Sequence, residues 1–507
     1  MITDRLYDLA AHMPDAPFVF YKEDVISFSQ MADMVSAQAA ALSAAGVKEG
    51  QNVAMLCSNR PGFLVTWFAL TELGAVTVPL NTGLVGEGLR YSLEQSDAVM
   101  LLIEPALAET KRDDLAALSP TLPCRAIDEA IETIPLQEVA RMRRGTGAPD
   151  ALNMILYTSG TTGLPKGAMI PNGAFELAGD DMRDSLSLTP QDRIMVFLPL
   201  FHANPQMYAV ASTLATGASM VLIERFSASD FLPAARHYGA TGFTFVGTVL
   251  GILDKRHPEI NQDHSLRFGV GGGASPVIWK NIEEKFGTRL FELYGMTETG
   301  GWVTMNTADS YRFGSVGRPR KGVTIRVVDD ARTEVAAGEK GEITARSSRS
   351  NLFFSGYWKK PEVTAEIMAG DWLNTGDRGW KDEDGFLYFD SRLKELIRRS
   401  GEMISPVEIE LQLLKHPAVQ DCAVIGIPDD LLGEEIKAFV VLAKTVKAQE
   451  LASFLTGKIP IALQPRYFAF IDAIPKTETE KIKRHELMHN NRNVIDLHAP
   501  LQPEKRA

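Results

Sequence analysis

A short apolar stretch, Leu152 Asn153 Met154 Ile155 Leu156, runs directly into Tyr157 Thr158 Ser159 Gly160 Thr161 Thr162 Gly163 Leu164 Pro165 Lys166 Gly167. A strand that empties into hydroxyls, glycines and one lysine has the composition of a loop that closes on phosphates. Glycine lets backbone amides approach an anion, the hydroxyls donate hydrogen bonds, and Lys166 brings a cation. The spacing excludes a Walker loop, which needs glycine directly before the lysine and Ser or Thr directly after it; Lys166 lies between Pro165 and Gly167. A protein-kinase set is excluded too, because Asp384 Gly385 Phe386 is not the order of the magnesium-binding Asp-Phe-Gly. A nucleoside triphosphate is the anion this loop suits.

Strand and helix signals alternate around that junction. Phe28 to Ala45 reads as an alanine-rich amphipathic helix stopping at Gly46, and Pro61 to Leu73 as a helix ending at Gly74. Between and after them Asn52 to Cys57, Ala75 to Pro79 and Ala98 to Ile103 read as strands, with Glu87 to Gln95 helical. After the linker-like Gly145 to Asp150 and the phosphate loop, the alternation resumes. Strands are expected at Val196 to Leu198, Ser219 to Ile223 and Phe243 to Val246, and a helix around Tyr208 to Thr216. Such alternation predicts an α/β fold of parallel sheets covered by helices. From Gly314 to Ile343 the style changes to short strands, Thr324 to Val328 and Glu342 to Ala345, of a small antiparallel β subdomain that Phe386 to Phe389 closes. Beyond Asp390 a small α/β unit follows: helices at Pro406 to Leu414 and Gln449 to Leu455, and strands at Asp421 to Ile425, Ile436 to Leu442 and Phe468 to Ile471. The expected domains are therefore 1–390 and 391–507.

At 507 residues and 45% hydrophobic content the chain can bury the cores of two or more domains. The 52 basic and 64 acidic residues give a formal charge of −12, which argues against a nucleic-acid surface and leaves the phosphate site to supply its own positive field. Neither a leader at Met1 to Arg5 nor an apolar run of membrane-spanning length is apparent, so the expectation is a cytoplasmic protein. Cys57, Cys124 and Cys422 are odd in number and far apart, a pattern of free thiols, not of disulfides or metal ligands.

The loop Tyr157 to Gly167 resembles the phosphate-loop signature of the adenylate-forming superfamily, which includes acyl-CoA synthetases, luciferase and the adenylation domains of peptide synthetases. Further motifs follow in that superfamily's order. Tyr294 Gly295 Met296 Thr297 Glu298 Thr299 resembles the second core motif, Trp372 to Asp377 the third, and Ser391 Arg392 Leu393 Lys394 Glu395 Leu396 Ile397 the hinge motif. Pro475 to Ile482 resembles the last.

The resemblance implies a role for each. Thr158, Ser159, Gly160, Thr161, Thr162, Gly163 and Lys166 would hold the β and γ phosphates of ATP, with Glu298 as the Mg2+ ligand and Thr297 beside the α-phosphate. Tyr294 would stack on adenine, Gly272, Gly273 and Ala274 would line the boundary between nucleotide and acyl group, and Asp377 with Arg392 would take the ribose. Lys481 would bridge carboxylate and α-phosphate, as the attack of one anion on another requires neutralising charge. Lys394 would be the hinge about which a mobile small domain turns between half-reactions. His202, in Leu198 Pro199 Leu200 Phe201 His202, would stand at the mouth of an acyl pocket lined by Asn204, Gln206, Tyr208, Val246, Gly247 and Met296.

The implied reaction joins a carboxylic acid to CoA through an acyl-adenylate, and Ile223 to Ala228 with the Gly401 Glu402 segment looks most like relatives of crotonobetaine/carnitine-CoA ligase. Polar Asn204 and Gln206 point to an acid carrying a polar group or ring. Three positions depart from the superfamily's habit: Glu480 stands where glycine commonly precedes the lysine, Arg398 where a lysine follows the hinge, and Ser400 in place of a frequent glycine. These keep open an amide-forming ligase that passes the adenylate to an amino acid amine. A nucleotide-binding regulator with a decayed site is disfavoured by the presence of Lys166, Glu298, Asp377, Arg392 and Lys481 together. A homodimer is the expected assembly.

Overall fold

Apolar strands joined through crossover helices favour parallel pairing, with the helices covering both faces. The structure, a computed structural model, follows that rule and describes residues 1–116, 122–127, 147–158, 165–399, 402–429, 432–456, 458–459, 463–477 and 482–497. The chain divides into two compact units: Met1–Ile325 with Thr344–Asn374 and Asp384–Leu387, and Arg326–Ile343 with Thr375–Glu383 and residues 388–507.

The first unit holds two sheets. One runs in the order Cys124–Ala126, Met100–Ile103, Asn52–Leu56, Val76–Pro79, Leu152–Thr158, Lys166–Pro171, and all neighbours are parallel except the last pair. The other has nine strands, with six parallel at its centre: Arg289–Tyr294, Phe268–Gly272, Gly242–Val246, Arg193–Val196, Ser219–Leu222 and Pro17–Tyr21. A single core draws on both sheets and on the helices Phe28–Ala44, Pro61–Glu72 and Asn172–Leu186. Pro61–Glu72 is buried at every position from Phe63 to Glu72, so it lies inside that core and not on its surface.

The order of the nine strands matters for function. After Arg193–Val196 the chain moves to Ser219–Leu222 on one side and then returns to Gly242–Val246 on the other. In an open parallel sheet such a reversal opens a crevice outside the carboxyl ends of the strands.

Elsewhere in the fold a five-stranded sheet of Val323–Val328, Gly341–Ser347, Trp372–Lys381, Met368–Ala369 and Leu387–Arg392 carries Asp377 on its longest strand. The C-terminal portion of the second unit builds a six-stranded sheet around Gly433–Leu442, which pairs antiparallel with Val419–Asp429 and parallel with Tyr467–Phe470. Helices Pro406–Leu413 and Ala448–Leu455 complete its core.

Three local expectations shift. The strand expected at Val196 to Leu198 is Arg193–Val196, because Phe197 and Leu198 leave the sheet toward the crevice. The helix around Tyr208 begins earlier, as a π-helical turn Pro205–Val210 that runs into Ala211–Thr216. Lys166, read as the end of a loop, is instead the first residue of a strand. The cysteines are free, with Cys57 and Cys422 buried and Cys124 exposed. Among the described residues no helix is long and apolar enough to cross a membrane.

Candidate active site

Thr158 and Lys166 face each other at the end of the antiparallel pair Leu152–Thr158 and Lys166–Pro171. Ser159, Gly160, Thr161, Thr162 and Gly163 of the expected phosphate loop lie outside the described residues. The stem is held from below by a buried amide network. Trp67 Nε1 donates to Asn153 Oδ1 at 2.8 Å, and Asn153 Nδ2 donates to Thr71 Oγ1 at 3.0 Å and to Asn172 Oδ1 at 2.8 Å. Tyr157 is tied to helix Gly86–Gln95 by its hydroxyl, which donates to Gln95 Oε1.

Residues 354–358 run alongside this stem. Ser355 N donates to Met169 O at 2.8 Å, Met169 N to Gly356 O at 2.9 Å and Trp358 N to Gly167 O at 2.8 Å. They bring the Tyr357 ring under Lys166, whose Nζ lies 5.4 Å from the ring centroid, within cation–π range. Lys166 makes no ion pair among the described residues, so its charge remains available to an anion. The Tyr357 hydroxyl donates to Glu298 Oε1 at 2.5 Å, and Phe354 N donates to Glu298 O at 2.9 Å. Burial and the adjacent Glu298 carboxylate raise the Tyr357 phenol above its usual range, so it stays a donor.

Glu298 itself is buried, on the short turn Thr297–Thr299 that follows strand Arg289–Tyr294. Among the described residues no three His, Cys, Asp or Glu gather into a metal cage. A single buried carboxylate is compatible with Mg2+, since that ion keeps several waters and takes further oxygens from phosphates.

The remaining first-unit candidates gather along the carboxyl ends of adjacent strands: Val246, Gly272 and Tyr294 each end one, and Phe197–His202 follows another. The loops that leave them touch. A Cβ on Gly247 would stand 1.8 Å from Gly273 O, and Gly273 itself has φ +91°, so both positions need glycine. Glu292 holds this crossing from within: its Oε1 accepts Gly273 N at 2.5 Å and Ala274 N at 3.1 Å. Burial pushes its carboxyl up to about 8.

Asn59 fixes the loop that bears His202. Its Nδ2 donates to Leu198 O at 2.9 Å and Ile223 O at 3.2 Å, while its Oδ1 accepts Leu200 N at 2.8 Å. These bonds take the place of ladder bonds and explain why the strand stops at Val196. Asn204 Nδ2 then reaches across to Phe245 O at 3.2 Å, and Gln206 Nε2 to Leu200 O at 2.6 Å. The other amide atoms, Asn204 Oδ1 and Gln206 Oε1, are buried without a hydrogen-bond partner among the described residues. His202 packs against Phe201 with ring centroids 4.5 Å apart.

In the second unit Arg392 Nε lies 3.7 Å from Asp377 Oδ1, which joins the two residues expected at the ribose. Asp377 is buried within strand Trp372–Lys381, directly after Gly376, which has φ +69° and whose N donates to Glu342 Oε1 at 3.1 Å. Lys394 sits on a short turn, Leu393–Glu395, between two strands. Lys481 lies outside the described residues, but its flanks are anchored: Lys476 and Ile482 form an antiparallel bridge, and Lys483 N donates to Pro475 O at 2.9 Å. Arg484 secures the base, with Nη1 2.5 Å from Glu410 Oε1 and Nε 3.1 Å from Glu395 Oε2.

Sequence reading missed Asn59, Glu292, Tyr357 and Arg484. For Asn59 a polar residue just past an apolar strand was the only signal, and for Glu292 a carboxylate inside one. Tyr357 stands in Gly356 Tyr357 Trp358, a composition that also describes an ordinary core turn.

The chain has counterparts among known proteins. Residues 6–358 match the AMP-binding enzyme family, and residues 408–481 match the AMP-binding enzyme C-terminal domain. The chain is 31% identical over 495 residues to a sulfoacetate–CoA ligase of Cupriavidus necator, covering 95% of this chain and 96% of that protein. It is also 31% identical over 459 residues to a crotonobetaine/carnitine–CoA ligase of Salmonella arizonae, covering 87% and 89%. Among solved structures, the o-succinylbenzoate coenzyme A synthetase of Bacillus subtilis in complex with ATP and magnesium ion superimposes with a TM-score of 0.85 at 29% identity, covering 95% of this chain and 98% of that one.

Proposed function

We infer the reaction from one premise: the chain belongs to the AMP-binding enzyme family. It is an AMP-forming acid–thiol ligase, which uses ATP with Mg2+ to activate a carboxylate as its acyl-adenylate, releases pyrophosphate, and passes the acyl group to CoA. The amide-forming alternative is not favoured, since the relatives are CoA ligases.

The observation that carries the assignment of roles is the convergence of His202, Gly273, Tyr294 and Glu298 on the carboxyl ends of neighbouring parallel strands. Lys166 and Thr158, with the loop between them, hold the β and γ phosphates. Glu298 holds Mg2+, and Thr297 meets the α-phosphate. Tyr294 covers adenine, and Asp377 accepts hydrogen bonds from the ribose while Arg392 steadies it. Lys481 neutralises the carboxylate as it approaches the α-phosphate. Residues 391–507 then turn about Lys394 to admit the thiol. A cytoplasmic location and a homodimer belong to the same proposal.

The acid carries a polar group that can donate a hydrogen bond. Asn204 Oδ1 and Gln206 Oε1 support this, since their amide nitrogens are already engaged and an unmatched buried acceptor costs about 1–3 kcal/mol. The test is carboxylate-dependent pyrophosphate release over short, aromatic, polycyclic and betaine-like acids, with CoA present or absent. A thioester product from polar acids is the expected result; turnover confined to plain alkanoic acids would remove the polar-pocket reading.

A further inference from the structure

Two parts of the nucleotide site, Lys166 on one strand and Glu298 on a turn more than a hundred residues later, meet through one side chain. Tyr357 presents its ring face to Lys166 Nζ at 5.4 Å and its hydroxyl to Glu298 Oε1 at 2.5 Å. The segment that carries it is fixed at both sites by backbone bonds: Trp358 N to Gly167 O on the phosphate-loop stem, and Phe354 N to Glu298 O on the turn. The same segment continues to Lys360, whose Nζ lies 3.0 Å from Tyr91 Oη, and that hydroxyl donates to Pro165 O at 3.4 Å. The segment thus binds the stem directly at Gly167 and reaches Pro165 through Tyr91.

We propose that Tyr357 is the positioning residue that couples metal and phosphate binding, its hydroxyl orienting Glu298 for Mg2+ and its ring holding the Lys166 ammonium for the phosphates. The inference rests on the roles given above to Glu298 and Lys166. A hydroxyl on one carboxylate oxygen fixes the plane of the group and leaves the other oxygen for a cation. A ring under an ammonium lowers the entropy that a long side chain loses when it closes on an anion.

The two functions separate by substitution. Tyr357→Phe keeps the ring and its volume but deletes the donor; Tyr357→Leu removes both. In calorimetric titration of the full chain with a nonhydrolysable ATP analogue, Tyr357→Phe should leave magnesium-free binding within about twofold while raising the Mg2+ concentration for half-maximal enhancement about tenfold, the size of one lost bond to a charged group. Tyr357→Leu should weaken magnesium-free binding as well. KM for the carboxylic acid should stay unchanged in the Phe variant, which a general loss of structure would not allow. A second test is the double-mutant cycle with Glu298→Gln: in that background Tyr357→Phe should no longer move the Mg2+ midpoint. An unchanged midpoint in Tyr357→Phe, or effects that simply add in the cycle, would overturn the inference. If the wild-type chain itself binds the analogue with no response to Mg2+, the assignment of Glu298 fails, and the coupling fails with it.

Discussion

Glu292 and Gly273 are joined by a 2.5 Å hydrogen bond from the Gly273 amide to the buried Glu292 carboxyl, which thereby sets the turn that follows strand Phe268–Gly272. The same oxygen also accepts Ala274 N, so a neutral carboxyl can serve both amides through its carbonyl oxygen.

Burial of that carboxyl makes stability depend on pH, with the two amide hydrogen bonds opposing the shift. Burial pushes the Glu292 carboxyl from 4.5 up to about 8. Between those values the unfolded chain has released a proton that the folded chain keeps. The group's stabilisation is therefore complete below about pH 4.5 and is lost as the pH rises through about 8, at up to about 1.4 kcal/mol per pH unit. Glu292→Gln, neutral at every pH, should flatten that slope. Thermal unfolding of both proteins from pH 5 to 9 decides it, and parallel curves would exclude Glu292 as the source.

Asp377 and Arg392 make a separate kinetic prediction. Asp377→Ala removes the proposed ribose acceptor and takes from Arg392 its 3.7 Å neighbour. KM for ATP in pyrophosphate release should rise about tenfold or more, the cost of a lost charged hydrogen bond. KM for the acid should barely change; an equal rise in both would remove Asp377 from the ribose.

Lys481→Ala should lower adenylate formation by about two to three orders of magnitude, the scale of removing one preorganised charge from a transition state. Thioester formation from preformed acyl-adenylate and CoA should survive. Equal loss in both halves would show that Lys481 acts on neither step specifically.

Asn59→Ala removes both donors and the acceptor that hold Leu198, Leu200 and Ile223. It should destabilise the fold by about 1–3 kcal/mol and raise KM for the acid more than KM for ATP, because the freed loop bears His202. Chemical denaturation and paired KM measurements test this; a larger effect on ATP would place the loop on the nucleotide side.

Much of this protein could be read from the chain as a string. Alternating apolar strands and helices predict parallel, helix-covered sheets, which the first unit builds, whereas the C-terminal sheet pairs Val419–Asp429 with Gly433–Leu442 antiparallel. The motif order from Thr158 through Glu298 and Asp377 to Lys481 named the chemistry, because reacting groups must be particular side chains at particular local spacings. The residues that hold those groups had no such signal. Asn59 closes its bonds across 139 to 164 residues, Tyr357 reaches Glu298 across 59, and Glu292 reaches Gly273 across 19. A supporting residue needs only the right donor or acceptor at the right point in space, so many sequences could provide it and only the folded sheet decides which one does. The same holds for Lys166, which local composition placed in a loop and which cross-strand pairing with Thr158 placed on a strand.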